Sequence, residues 1–396
     1  MTIYQSLGVK SIINATGTFT RLSGSLMPAA VTAAMVEASK QFVCLEDLQY
    51  RAGQIIAEIT GAEAAYVTSG AQAGIVLSIA ACLTGLDPAK MDQLPHTQDM
   101  PNQVIMARPH RNHYDHGVEA AGGVIVTVGQ AERCDPAEVE AAITEQTVAL
   151  FFVPGRPQAG YSLAQAVAIG RQHNLPVVVD GAGRLDEPEN LQAYIAAGAD
   201  LVIYSGGKYI QGPQASGFVC GRADLIAAIA WQHLDMDVTP SVWTAPQALL
   251  GLDPVEMPFV PRQGIGRGYK AGKEEIVGLI TALRLFVQCD QAAERAAKIR
   301  RLEYIVAQLA DLPHVSAAIR QPEGRPNGLP LAWLTFDEAA LGQTAYQIIL
   351  ALKQGEPAIH PHEGGLAEGS LIIHPFNLME GDEECIVGRV REVISG

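Results

Sequence analysis

The sequence predicts an α/β domain built on a mainly parallel sheet, followed by a smaller α+β domain. Three observations predict it. Between about residues 60 and 235, short apolar runs alternate with helix-like stretches, the order expected of a parallel sheet covered by helices. Several runs are apolar throughout rather than at every second residue, as in strands buried on both faces. Beyond about residue 235 the alternation stops, and residues 239–268 are rich in Pro and Gly.

The elements follow in order. AAYVTSG (64–70) reads as a strand running into a helix of small residues, AQAGIVLSIAACL. QVIMA (103–107) and VIVTV (124–128) read as strands, and DPAEVEAAI (135–143) as a helix whose N-cap is Asp135. VALFFV (148–153), PVVVD (176–180), ADLVIYS (199–205) and GFVC (217–220) continue the strand series. EEIVGLITALRLFVQ (274–288) reads as a long helix, and LAWLTF (331–336) and SLIIH (370–374) as strands of the second domain. We divide the chain into an N-terminal segment (1–30) that joins the small domain, a large domain (31–268) and a small C-terminal domain (269–396).

A chain of 396 residues is long enough for one large core and one smaller one. It is 48% hydrophobic and carries a formal charge of −15. That acidity argues against a nucleic-acid partner, which would call for a basic face. Six cysteines stand singly, with no paired spacing that suggests zinc or a disulfide framework. The N-terminus lacks the basic and apolar regions of a signal peptide, and no apolar run reaches membrane-spanning length, so we expect a cytoplasmic protein.

Most polar and glycine signals fall just after an apolar run: Ser69-Gly70, His110-Arg111, Asp180 and Ser205-Gly206-Gly207-Lys208. In open α/β sheets ligands bind at the carboxyl ends of strands, so these positions point to one site. Lys208 stands on a glycine hinge and fails the P-loop pattern, because Val202 and Tyr209 occupy positions that motif needs otherwise. A lysine that loses solvent becomes a nucleophile toward carbonyls; the plainer alternative is a solvated turn residue. Asp180 shifts the balance. Pyridoxal phosphate needs a lysine for its aldehyde and a carboxylate for its pyridinium nitrogen, and these two residues end strands about one βαβ unit apart. The plainer alternative for Asp180 is a helix cap. In TSGAQAG (68–74) a strand opens a helix whose N–H groups and dipole suit a phosphate. RPHRNHYDH (108–116) departs from the HxHxDH metal pattern at Arg111, so no metal is expected, and His110 or His113 could supply an aromatic face to a cofactor ring. HPH (360–362) reads as surface.

These motifs resemble fold type I of the pyridoxal phosphate enzymes, the aspartate-aminotransferase-like superfamily. INATGTFTRLSGSLMP, YVTSGAQAG, RPHRNHYDHGVEAAGG, VVVDGAGRLDEPENL, SGGKYIQGPQASGFVCGR and GIGRGYKAGKEEIVGL resemble its selenocysteine-synthase-like branch, and WQHLDMDV with GIGRGYKAGKEE is similar to the D-glucosaminate-6-phosphate ammonia-lyase group. The resemblance implies a seven-stranded, mainly parallel sheet in the large domain, with pyridoxal 5'-phosphate as cofactor. Lys208 would carry the cofactor aldehyde and Asp180 would pair with the pyridinium. Ser69, Gly70, Ala71 and Ser205 would hold the phosphate. His113, or with less reason His110, would stack on the ring, with Ala182 against its other face. Arg21 and Arg267 are implied for a substrate carboxylate or phosphate, with Arg262, Lys270 and Lys273 as further basic residues. A homodimer or higher homo-oligomer with shared sites is implied. Selenocysteine synthases carry an N-terminal tRNA-binding region, whereas the matching stretch here begins near residue 12, so a small-molecule substrate is expected rather than tRNA.

The reaction expected is a lyase reaction on a 2-amino-3-hydroxy acid, such as D-glucosaminate 6-phosphate, giving a 2-keto-3-deoxy acid and ammonia. A racemase, or a transferase replacing a β-substituent with sulfur or selenium, uses the same α-proton chemistry. A non-catalytic family member is the third possibility, opposed by the presence of both Lys208 and Asp180.

Overall fold

The structure, a computed structural model, describes residues 2–155 and 160–395. The strands are β1 (Ile12–Ala15), β2 (Ala64–Thr68), β3 (Gln103–Ala107), β4 (Val124–Val128), β5 (Thr147–Phe152), β6 (Val177–Asp180), β7 (Leu201–Ser205), β8 (Gly217–Gly221), β9 (Val315–Arg320), β10 (Leu331–Phe336), β11 (Ala358–Pro361) and β12 (Ser370–Ile373). They form a seven-stranded sheet in the order β2-β8-β7-β6-β5-β3-β4, a three-stranded sheet β12-β10-β9 and a β1-β11 pair.

The chain divides into two compact units. The larger, Met27–Val287, holds the seven-stranded sheet. Six of its strands are parallel; β8 alone runs antiparallel to both of its neighbours, β2 and β7. The runs read as buried strands are indeed covered on both faces: Val177, Val178 and Val179 of β6, and Leu201, Val202, Ile203 and Tyr204 of β7, have almost no exposed surface. The helix Ala71–Thr84 packs on β7 and β8, and the helix Ala223–His233 packs on that helix. Both are apolar nearly all round because each lies in the interior, where Leu77, Ile79, Ile229 and Trp231 join one core with Tyr66, Met106 and Ile203.

Strand order reverses at β3 and β5, since β4 lies on one side of β3 while β5, β6 and β7 continue on the other. Such a switch point opens a crevice at the carboxyl ends of the strands. Because β8 runs backward, its first residue rather than its last reaches that edge: Gly217 is level with both Thr68 and Ser205.

The smaller unit joins Met1–Leu26 to Gln288–Gly396. Its core gathers Leu302, Ile305, Leu334, Ile348, Ile359, Leu371 and Ile386. The parallel pairing of β1 with β11 ties the N-terminal segment into it. The HPH stretch, expected at the surface, contributes His360 and Pro361 to β11, where His360 is half-buried. The unit boundaries fall after Leu26 and Val287 rather than after residues 30 and 268. The reason is the helix Lys273–Gln288. Its apolar face belongs to the larger unit, with Gly278 packed against Met35 and Pro213, and with Leu279 closing on Gly206.

Candidate active site

Asp180 is the last residue of β6, and Lys208 lies in the turn that follows β7. Parallel pairing sets Asp180 level with Ile203, so the two strands deliver both side chains to the same edge. The turn Gly181–Gly183 then brings them together. Ala182 N–H donates to Asp180 Oδ1 at 3.0 Å, and a Cβ placed on Gly183 would stand 3.8 Å from Lys208 Nζ. Burial pushes the Asp180 carboxyl above the ordinary carboxylate range, while the Ala182 N–H and the positive charges of Lys208 and Arg184 pull it back. An amine and a carboxylate that sense each other across one turn can grip opposite parts of a single small aromatic ring.

The Lys208 turn is held from behind. Gly206 N–H donates to Ser216 O at 2.8 Å, Gly212 N–H to Gly206 O at 2.8 Å and Gln211 N–H to Lys208 O at 3.0 Å. Gly207 is required here, because a Cβ would lie 2.4 Å from the Gln214 Cα. The excursion 206–216 is therefore a tied knot between β7 and β8, which start and finish level with one another.

The third part is the start of the helix Ala71–Thr84. Its N-cap is Gly70, with φ 92° and ψ 168°, and no side chain caps it among the described residues. The N-terminal N–H groups and the positive end of the helix dipole are thus available to an anion. Ser69 immediately precedes this cap. Its hydroxyl donates to Tyr269 O at 2.6 Å, which leaves the oxygen lone pairs to accept. Ser205 is the residue of β7 level with Gly217, directly beside this turn.

The histidines separate. His110 is buried at the end of the short turn Arg108–His110 that follows β3, edge-on to Phe152 of β5 at 4.5 Å and stacked near Tyr161 at 5.9 Å. It stands at the switch point. His113 is exposed in the following loop, which reaches the helix start through Gln72 Nε2 donating to Tyr114 O at 3.3 Å.

The basic residues scatter. Arg267 and Lys270 line a cavity of about 260 Å³ with Glu46, Gln49, Tyr66, His233 and Asp235. Arg267 pairs with Asp235 at 3.5 Å. Arg262 is almost wholly exposed and pairs with Asp92, and Lys273 is bonded to Glu274. Arg21 belongs to the smaller unit, where its guanidinium donates to Glu363 at 3.0 Å beside Lys353, which also pairs with Glu363. Tyr66, His233 and Tyr269 were not singled out by the sequence, since nothing local marks a buried strand tyrosine or a histidine ending an apolar helix. The quoted WQHLDMDV stretch contained the one signal, a His closing that helix.

The donor set fits an aldehyde-bearing pyridinium phosphate: an amine, a partly buried carboxylate and an uncapped helix start share one sheet edge. Among the described residues no cluster of side chains suits a metal, and no single helix is long and apolar enough to cross a membrane.

Comparison with known proteins agrees. A family model described as Cys/Met metabolism PLP-dependent enzyme matches residues 51–257. The chain is 33% identical to the 5'-C-glycyluridine monooxygenase-decarboxylase of a Streptomyces species, over 99% of this chain and 92% of that protein. It is 34% identical to the D-glucosaminate-6-phosphate ammonia lyase of Salmonella typhimurium, over 99% of this chain and 97% of that one. An L-seryl-tRNA(Sec) selenium transferase of Geotalea uraniireducens is 26% identical, over 98% of this chain and 83% of its own length. A solved D-glucosaminate-6-phosphate ammonia-lyase structure superposes with a TM-score of 0.83 at 32% identity, covering 100% of this chain and 98% of that one. The fold is therefore fold type I, and the chain belongs to the Cys/Met-metabolism family of PLP-dependent enzymes, with pyridoxal 5'-phosphate as its cofactor.

Proposed function

We propose that this enzyme is a lyase acting on a 2-amino-3-hydroxy acid, with D-glucosaminate 6-phosphate or a similar amino sugar acid as substrate. The overall change removes the 3-hydroxyl as water and the 2-amino group as ammonia, with one water returned, and leaves a 2-keto-3-deoxy acid. The observation that carries it is the approach of Lys208 Nζ to the Asp180–Gly183 turn. The similarity to an ammonia lyase over nearly the whole chain supports the reaction class.

When bound, pyridoxal 5'-phosphate supplies an electron sink for the pair left behind by the substrate's α-proton. The chain's own residues do the rest. Lys208 is the residue that would hold the cofactor's aldehyde, and its Nζ would serve as the acceptor of the substrate's α-proton. Asp180 would hold the cofactor by its ring nitrogen and favour the protonated form. The N–H groups of Gly70, Ala71 and the residues after them bind the phosphate, with Ser69 and Ser205 beside them. His110 or His113 would offer an aromatic face to the ring, and Ala182 would lie against its other side. Arg267 and Lys270 would receive the acid groups of the substrate. We expect a homodimer or larger homo-oligomer: Val36, Phe42 and Val43 expose apolar side chains in the segment leading into the helix Leu45–Thr60, and a second copy would cover them.

The test is incubation of the loaded enzyme with D-glucosaminate 6-phosphate, measuring ammonia and 2-keto acid. Equal amounts of both, lost in Lys208→Ala, are expected; a loaded enzyme that yields neither refutes this substrate. The similarity to a monooxygenase-decarboxylase favours a second reading, an oxygen-dependent decarboxylation. Oxygen uptake matched by carbon dioxide release would select it.

A further inference from the structure

Behind the Ser69 turn, three residues distant in sequence share one chain of hydrogen bonds. Tyr66, fully buried in β2, lies 2.9 Å through its hydroxyl from Nδ1 of His233. His233 ends the helix Ala223–His233, and its Nε2 lies 3.0 Å from the carbonyl oxygen of Tyr269. The same oxygen receives the Ser69 hydroxyl at 2.6 Å.

Chemistry fixes the proton positions. A carbonyl oxygen only accepts, so the His233 proton sits on Nε2. In the neutral ring Nδ1 must then accept, so the Tyr66 hydroxyl is the donor. Burial keeps the ring neutral, pushing its pKa down to about 4. Tyr269 O thus receives two donors, one from the helix end and one from Ser69. The segment bearing it is anchored at its other end too: Ile265 N–H donates to Gln232 Oε1 at 3.3 Å, and Gln232 is fully buried.

We propose that Tyr66 and His233 are positioning residues for the cofactor phosphate, acting through the Tyr269 carbonyl to set Ser69 and the first turn of the helix Ala71–Thr84. Neither need touch the cofactor. The proposal rests on the reading that this turn takes the phosphate. It goes beyond that reading by placing control of the turn in a relay on its far side, at the wall of the cavity that Tyr66 and His233 line.

The test titrates apoenzyme with pyridoxal 5'-phosphate and, separately, with pyridoxal, which lacks the phosphate, reading each dissociation constant by absorbance. Tyr66→Phe keeps the ring and its packing while removing the donor; His233→Leu removes the relay. Losing one buried hydrogen bond should weaken pyridoxal 5'-phosphate about tenfold and leave pyridoxal unchanged. Ser69→Ala should weaken pyridoxal 5'-phosphate as well, and the Ser69→Ala/Tyr66→Phe pair should lose less than the sum. Equal weakening of both ligands, or unchanged pyridoxal 5'-phosphate affinity in Tyr66→Phe, overturns the relay. A parent enzyme that binds both ligands equally well overturns the phosphate reading beneath it, and is seen before any variant is made.

Discussion

Gly217 abuts Ala71: a Cβ added to Gly217 would stand 2.9 Å from the Ala71 nitrogen and 2.7 Å from the Tyr204 carbonyl oxygen. Real Cβ atoms do not approach backbone that closely, so the start of β8 must be glycine for the helix start to sit against the sheet. Gly217→Ala should force the two apart. We expect cofactor affinity to fall at least about tenfold and the thermal midpoint to drop. Titration of the apoprotein with pyridoxal 5'-phosphate, alongside calorimetry, checks both.

Lys208→Ala should remove the visible absorbance of the covalently held cofactor, and borohydride should then fix no label to the protein. Turnover should fall by at least about a thousandfold, as expected when a covalent catalyst and its proton acceptor go together. Substantial residual turnover in this variant would falsify the assignment of Lys208.

The Asp180 carboxyl is held above its ordinary range by burial. It must be ionised to pair with a protonated ring nitrogen. Cofactor affinity should therefore weaken as pH falls toward that raised value, above the usual ~3.9 for aspartate. Asp180→Asn should lower turnover by orders of magnitude and flatten this part of the binding profile. Dissociation constants across acidic buffers provide the comparison.

His233 is buried and His374 half-buried, and desolvation pushes their pKa values down to about 4 and about 3. Unfolded, each would take a proton near 6.5. Between those values the unfolded chain binds more protons than the folded one, so stability should be greatest above about pH 6.5 and be lost on acidification toward 4 and below. His233→Gln should make the decline shallower by up to one proton. Urea denaturation at a series of pH values measures the slope.

Phe42 is fully exposed beside Val43. Phe42→Glu should shift the protein toward monomer in light scattering if a second copy covers this segment. An unchanged mass would place the contact elsewhere.

The large sheet was legible because its strands are apolar on both faces, which alternation-free runs such as VVV in β6 declare directly. The placement of Asp180 and Lys208 at one sheet edge was legible because a charged residue ending such a run has no core role. Distance in sequence hid the rest. β1 and β11 are four residues each and pair across almost the whole chain, so neither announces itself. Tyr66 and His233 meet across 167 positions. The helix Lys273–Gln288 was recognised, but its periodicity reveals an apolar face and not which core receives it. Contacts such as Gly278 with Met35 and Pro213, and Leu279 with Gly206, assign it to the larger unit. Arg262 and Lys273 were nominated on charge alone, and their acidic neighbours Asp92 and Glu274 are what charge counting cannot foresee.

The lone reversed strand has one more effect. Since β8 returns to the rim from which β7 departs, Lys208 rides on a closed excursion whose two feet are planted side by side. Lengthening or shortening that excursion would relocate the amine while leaving the sheet undisturbed, which makes these eleven positions, 206–216, the natural lever for steering this scaffold toward different chemistry.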